Sequence, residues 1–184
     1  MIPRSVVRGR PNPTHVKFPT RLRKARKSAG LTFTTLAERA GMTTATTSTL
    51  ERGANVPRVD TVEKLARALN LPPSLLAFGV DHPWDQRAGL LYKGLPARLR
   101  EVRQVRELSM RELERRVGMA DNLVRNTEKG HSSPTISTVE KLASALGVSS
   151  AWLAYGLGPM DAPPRHAARR TTSQAADKEA PCVG

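Results

Sequence analysis

The sequence predicts an all-α protein made of two tandem domains of five short helices each. Three observations carry that expectation. The chain repeats itself: residues 21–80 align without a gap onto residues 98–157 at a constant offset of 77, and 23 of the 60 positions are identical, far above chance. Apolar residues in both copies recur at the three-and-four spacing of an amphipathic helix. No segment alternates apolar and polar residues as a half-buried strand does.

Residues 1–18 set Pro3, Pro11, Pro13 and Gly9 among Arg4, Arg8, Arg10 and Lys17. Proline breaks helix and this stretch has little to bury, so it reads as a basic flexible arm. The first domain, residues 19–80, then begins. Leu22, Ala25, Arg26 and Ala29 share one helical face over 19–29. Leu36, Ala37 and Ala40 share another over 32–40, with Gly41 directly after. A third helix is expected over 43–52. Val59, Val62, Leu65, Ala66 and Leu69 define a fourth over 59–69, and a fifth covers 73–79. The second domain, residues 96–157, repeats the plan 77 residues on, with helices over 96–106, 109–117, 120–129, 136–146 and 150–156. Ser109-x-x-Glu112 is a capping box at the start of its second helix. Glu112 and Glu114 read there as a cap and a surface residue.

Between the domains, residues 81–95 form a linker with Pro83, Gly89 and Gly94. It also holds Trp84 and Tyr92. Two aromatics in a chain with few suggest packing on one or both domains; a flexible tether is the alternative. Residues 158–184 are rich in proline and alanine, with Ser, Thr and mixed charge, and read as a disordered tail.

The formal net charge is +14 over 184 residues. It is unevenly spread: residues 1–80 carry fourteen Lys and Arg against four acids, and residues 96–157 carry ten against seven. A polyanion is the implied partner, and nucleic acid is the commonest one. A merely basic, solvated surface is the bland alternative. The one cysteine, Cys182, excludes intrachain disulfides and multi-cysteine metal sites and fits a reducing cytoplasm. No apolar run approaches the ~20 residues of a membrane span. The N-terminal arginines lead into no apolar core, so the start does not read as a signal peptide. His15, His82, His131 and His166 lack the paired spacing of metal ligands, and neither a glycine-rich phosphate loop nor a Gly-x-Ser-x-Gly elbow occurs. No enzyme activity, metal or cofactor is expected.

The residues around the two turns say more. Gly30 to Met42, then Leu50-Glu51-Arg52-Gly53, Pro57 and Val62 to Leu69 make one series. Leu108 to Met119, then Glu128-Lys129-Gly130, Pro134 and Val139 to Leu146 make the other. Both resemble the Xre/Cro-like (lambda-repressor-like) helix-turn-helix family, and the match covers about two-thirds of the chain. Gly41 and Gly118 stand where one helix must stop sharply and the next leave steeply. The resemblance implies a buried structural ion pair between the first helix and the end of the third, here Arg26 with Glu51 and Arg103 with Glu128. It also implies that the third helix lies in the DNA major groove. The base-facing positions carried over are Thr44, Ala45 and Thr49 in the first domain and Asp121, Asn122 and Asn126 in the second. Thr43, Lys24, Lys27, Arg52, Arg58, Arg125 and Lys129, with the arm, are the expected backbone contacts.

At the base-facing positions the copies share nothing. The first offers threonine hydroxyls and methyls, suited to thymine methyls. The second offers asparagines, which can pair with adenine, but opens with the negative Asp121 after Ala120. The family commonly places a phosphate-binding Gln at the first turn of its second helix; Phe33 and Met110 stand there and cannot make that bond. The resemblance therefore implies a bacterial or phage-type cytoplasmic transcriptional regulator that binds double-stranded DNA and represses by operator occupancy. The alternative is a protein-interaction regulator, antitoxin-like or anti-activator, whose second domain binds a protein partner or forms a homodimer.

Overall fold

The computed structural model describes residues 14–161. Ten α-helices and no named strand occur among them. Repeat one holds α1 (Phe18–Ser28), α2 (Phe33–Ala40), α3 (Thr44–Glu51), α4 (Val59–Ala68) and α5 (Pro73–Phe78). Repeat two holds α6 (Leu95–Val105), α7 (Met110–Val117), α8 (Leu123–Glu128), α9 (Ile136–Leu146) and α10 (Ser150–Tyr155). A 3-10 turn precedes each repeat, Thr14–Lys17 and Leu91–Gly94. These turns are themselves 77 residues apart.

Local chemistry starts and stops the helices. Pro19 and Pro96 lie in the first turns of α1 and α6, where a missing N–H costs nothing. Thr32, Thr43, Ser109, Thr135 and Ser149 cap α2, α3, α7, α9 and α10 through their hydroxyls. The capping box is half made. Ser109 Oγ accepts from the Glu112 N–H, but the Glu112 carboxylate turns to Arg116 at 2.6 Å. The apolar stripes face inward: Phe18 and Leu22 on α1, Val59, Val62, Leu65 and Ala66 on α4, and their counterparts in repeat two. The buried apolar residues of both repeats join in one cluster.

Three boundaries differ from expectation. Phe18 is 1% exposed and the turn Thr14–Lys17 is ordered against the repeats, so the expected arm over 1–18 is corrected at its end. Arg4, Arg8 and Arg10 lie outside the described residues, as do residues 162–184 of the expected tail. Residues before them belong to repeat two: Ser149 N donates to Met160 O at 2.7 Å, and Val148 bridges Asp161. The third boundary, the start of α8, belongs to the candidate site.

The repeats meet through contacts that exchange under the offset of 77. Val59 N donates to Pro134 O and Ile136 N donates to Pro57 O, each at 3.0 Å. These two bonds flank the antiparallel bridge between Arg58 and Thr135, residues 77 apart. Phe78 and Tyr155, again 77 apart, have ring centroids 6.3 Å from each other. Leu91 N and Tyr92 N, in the turn before repeat two, each donate to the buried Glu63 carboxylate on α4 at 2.9 Å. In the reciprocal place, Thr14 Oγ1 and His15 N, in the turn before repeat one, bond to Glu140 on α9, and the His15 ring also meets that carboxylate. A contact from i to j+77 that is matched by one from j to i+77 is the signature of a two-fold axis. Here the axis relates two halves of one chain.

The linker is held down on repeat one. Arg67 donates to the carbonyls of Gln86, Ala88 and Gly89 at 2.7–2.9 Å, pairs with Glu63 at 3.0 Å, and lies 5.7 Å from the Trp84 ring centroid. Arg98 Nε and Nη2 bond the carbonyls of Leu153 and Ala154 near the end of α10, and Nη2 also bonds Leu91 O. Burial pushes this guanidinium down to about 10, partly opposed by Glu63. Cations suit a helix C-terminus, where carbonyls lack partners. Tyr155 donates its hydroxyl to Val59 O at 3.2 Å, and burial, with Glu63 and Asp60 nearby, pushes the phenol well up.

Candidate nucleic-acid interface

The turns between α2 and α3 and between α7 and α8 are built alike. Gly41 (φ 63°) and Gly118 (φ 64°) close α2 and α7 in the left-handed region. A side chain is strained there, and glycine alone takes that conformation at no steric cost. Each following helix is then fixed to the first helix of its repeat by an ion pair. Arg26 Nε and Nη2 donate to the two Glu51 oxygens at 2.6 and 3.1 Å, and Nη1 donates to Leu31 O. Arg103 repeats this with Glu128 at 2.6 and 2.9 Å, and with Leu108 O. In both, the side-chain bond to glutamate raises the arginine above its ordinary value, against desolvation.

The sequence missed what Phe33 does. The Arg26 guanidinium lies 4.1 Å above the centre of the Phe33 ring. Phe33 thus covers the ion pair from outside, as a cation–π partner that also excludes water. Met110, its counterpart, is half-buried against the core of repeat two. The residues that replace a polar one at this edge are doing packing work.

The exposed surface of repeat one is orderly. Thr43 caps α3, its Oγ1 accepting from Thr46 N at 3.2 Å. Thr44 and Ala45 are exposed in the first turn, and Thr49 follows one turn after Ala45, partly exposed. The Thr49 hydroxyl donates back to Ala45 O at 2.7 Å, so its proton is engaged within the helix. Arg52 is exposed at the end of α3. Lys24 and Lys27 lie on the solvent side of α1, away from the Phe18, Leu22 and Arg26 stripe, and Lys17 is exposed in the preceding turn. Arg58 is exposed on the axis between the repeats.

Repeat two departs from that pattern. A helix over 120–129 is expected, but α8 starts at Leu123. Asp121 and Asn122 are exposed in the turn before it rather than on its face, and Asn122 has φ 67°. Asn126 lies on the helix, exposed, with Arg125 and Lys129. Thus Thr44, Ala45 and Thr49 share one helix, whereas Asp121, Asn122 and Asn126 do not. The reason is Glu114, expected on the surface. It is 5% exposed, and its Oε1 accepts from the buried Val124 N at 2.9 Å. The signal was in the alignment: Glu114 occupies the place of the core residue Ala37.

No group of His, Cys, Asp or Glu that could hold a metal occurs among the described residues. No helix there is long and apolar enough to cross a membrane. Residues 18–78 match a family model described as a helix-turn-helix domain, and residues 99–153 match a second, described as helix-turn-helix. No curated protein matches the chain. Two separate matches, each laid over one of the turns just described, identify the chain as a tandem helix-turn-helix protein of the Xre/lambda-repressor-like type.

Proposed function

We propose that this DNA-binding regulator reads a specific sequence of double-stranded DNA and represses transcription by occupying its operator, excluding polymerase. The observation that carries the reading is the reciprocal bonding of Pro57–Val59 with Pro134–Ile136. It joins two helix-turn-helix units about an internal two-fold axis, so one chain supplies both halves of a reader. Residues 19–80 and 96–157 are the two units, and the linker 81–95 keeps the second at high effective concentration near the first. Thr44, Ala45 and Thr49 would meet bases in one half, and Asn122 and Asn126, with Asp121 beside them, in the other. Lys24, Lys27, Thr43, Arg52, Arg58, Arg125, Lys129 and the arm would meet phosphates. The setting is the cytoplasm of a bacterium or of a phage-infected cell.

Since the faces differ at every carried-over position, the two half-sites should be unlike, about one helical turn apart or a multiple of it. Footprinting on the DNA flanking its own gene tests this. A protected site with two unlike halves supports the reading, and uniform weak protection of every fragment counts against it.

One observation favours a second reading, in which repeat two binds a protein partner or a second copy of the chain. Its third helix has six residues against eight in α3, and the exposed Asp121 precedes it. A negative group there is repelled by phosphate unless it meets a cytosine amino group. If Asn122→Ala and Asn126→Ala leave both affinity and site choice unchanged, this second reading is the better one.

A further inference from the structure

We infer that Glu114 is the positioning residue that sets which side chains of repeat two reach a base edge. The inference rests on the DNA-reading proposal. It begins from two paired replacements between the repeats. In repeat one, residue 43 is a threonine and residue 37 an alanine. In repeat two, the matching residues are Ala120 and Glu114. The external cap has been lost, and a carboxylate has been placed inside the turn.

The hydrogen bonds record the consequence. In repeat one, Thr47 N donates to Thr43 O at 3.3 Å, the first bond of a regular helix, while Thr43 Oγ1 takes Thr46 N. The counterpart of Thr47 is Val124. Its N–H goes instead to Glu114 Oε1 at 2.9 Å, in a buried bond. The carboxylate has displaced the Ala120 carbonyl as acceptor. That carbonyl receives only Leu123 N, at 3.4 Å in a tighter turn. A charged acceptor outcompetes a neutral one for the same amide, and a carboxylate is favoured where amides lack intrahelical partners. The chain must then leave helical geometry before Leu123. Asn122 takes the left-handed conformation, which asparagine tolerates better than most side chains.

The helix consequently begins two residues later than α3. Asp121 and Asn122 project from a turn, while Arg125, Asn126 and Lys129 remain on the helix surface. The reading head of repeat two is therefore a different shape as well as a different sequence. Thr44 and Ala45 cannot be used to assign the roles of Asp121 and Asn122 by simple alignment.

The test uses the full chain. In the wild type, the intraresidue amide–Hα NOE of Asn122 should be strong, as positive φ requires, and the Val124 amide should exchange slowly. A helical Asn122 in the wild type overturns the inference without any variant. The double variant E114A/A120T restores the arrangement of repeat one. Its Asn122 NOE should weaken, and selection from a randomised DNA library should change preference about tenfold or more at one or two base pairs of one half-site only. E114Q keeps an oxygen of the same reach but loses the charge that favours it over the Ala120 carbonyl. Its Asn122 NOE and base preference should therefore shift in the same direction as in the double variant, and a Gln variant indistinguishable from the wild type overturns the role of the charge. A folded double variant with unchanged base preference overturns the role of Glu114 in specificity while leaving the DNA-reading proposal intact. A wild-type chain that enriches no sequence overturns that proposal and the specificity role together, and the Asn122 NOE then reports on the turn alone.

Discussion

Removing Glu51 should take from repeat one the ion pair that ties the end of α3 to α1. In the folded chain the Glu51 side chain is fully buried and Arg26 nearly so. Glu51→Ala deletes two charge-assisted bonds and leaves the arginine with the Leu31 carbonyl and the Phe33 face. An uncompensated buried charge of this kind costs ~3–5 kcal/mol. For a folded unit of this size, that corresponds to a drop of roughly 6–20 °C in Tm. Differential scanning calorimetry of the full chain is the assay. Arg26→Met with Glu51→Leu should lose less than Glu51→Ala alone, because both charges go together. The pH dependence is a control. Arg26 is raised above its ordinary value, so its contribution is fully present below that value and is lost only as pH rises through the raised one. The Tm difference should then be the same at pH 7 and pH 9 as far as the arginine is concerned. A loss under ~1 kcal/mol, as for an exposed pair, or a double variant worse than the single one, would refute the reasoning.

Other consequences are open to direct measurement. DNA affinity should fall by orders of magnitude between low and physiological salt, as displaced counterions are released. Deleting residues 1–13, which leaves the buried Phe18 in place, should flatten that slope without altering the preferred sequence; an unchanged slope would reduce the arm to a tail. Arg58→Ala should weaken binding about equally for all sequences, and a change in base preference at any position would contradict a phosphate role. Asn126→Ala should relax preference at one or two base pairs in a single half-site, at a cost of ~1–3 kcal/mol, read by competition binding. Wild-type calorimetry should give one cooperative transition for the two repeats, since they share a core; two well-separated transitions would mean the interface is weak.

Much of the fold was legible because the chain carries its own comparison. Leu22, Leu36, Val62 and Leu65 recur as Leu99, Leu113, Val139 and Leu142, and a periodicity seen twice is hard to mistake. The two glycine turns were legible for the same reason, since only a backbone demand explains glycine in both. Phe33 was harder. In the sequence it stands only as a missing phosphate ligand, because a sequence displays what a residue cannot bond and not what it covers. Its cation–π contact depends on where Arg26 is placed by Glu51, a distance of 25 residues along the chain.

The docking of the repeats and the start of α8 escaped for opposite reasons. Pro57 and Glu63 recur unchanged as Pro134 and Glu140, and Val59 and Phe78 recur as the similar Ile136 and Tyr155, a likeness that fits a fold requirement within each copy equally well. Likeness between the copies hid an interface, because a two-fold axis uses like residues on both sides. Glu114 is the reverse. Its alanine counterpart marks it as a difference, but one on the second helix, away from the third, where a reader of bases varies. A buried carboxylate one helix earlier changes that surface from beneath. Its effect cannot be read from helical periodicity, since a glutamate at this position fits a solvent-facing helix equally well until the fate of the Val124 amide is known. Divergence in a tandem reader can thus act at two levels, in the side chains offered to the partner and in the backbone that offers them.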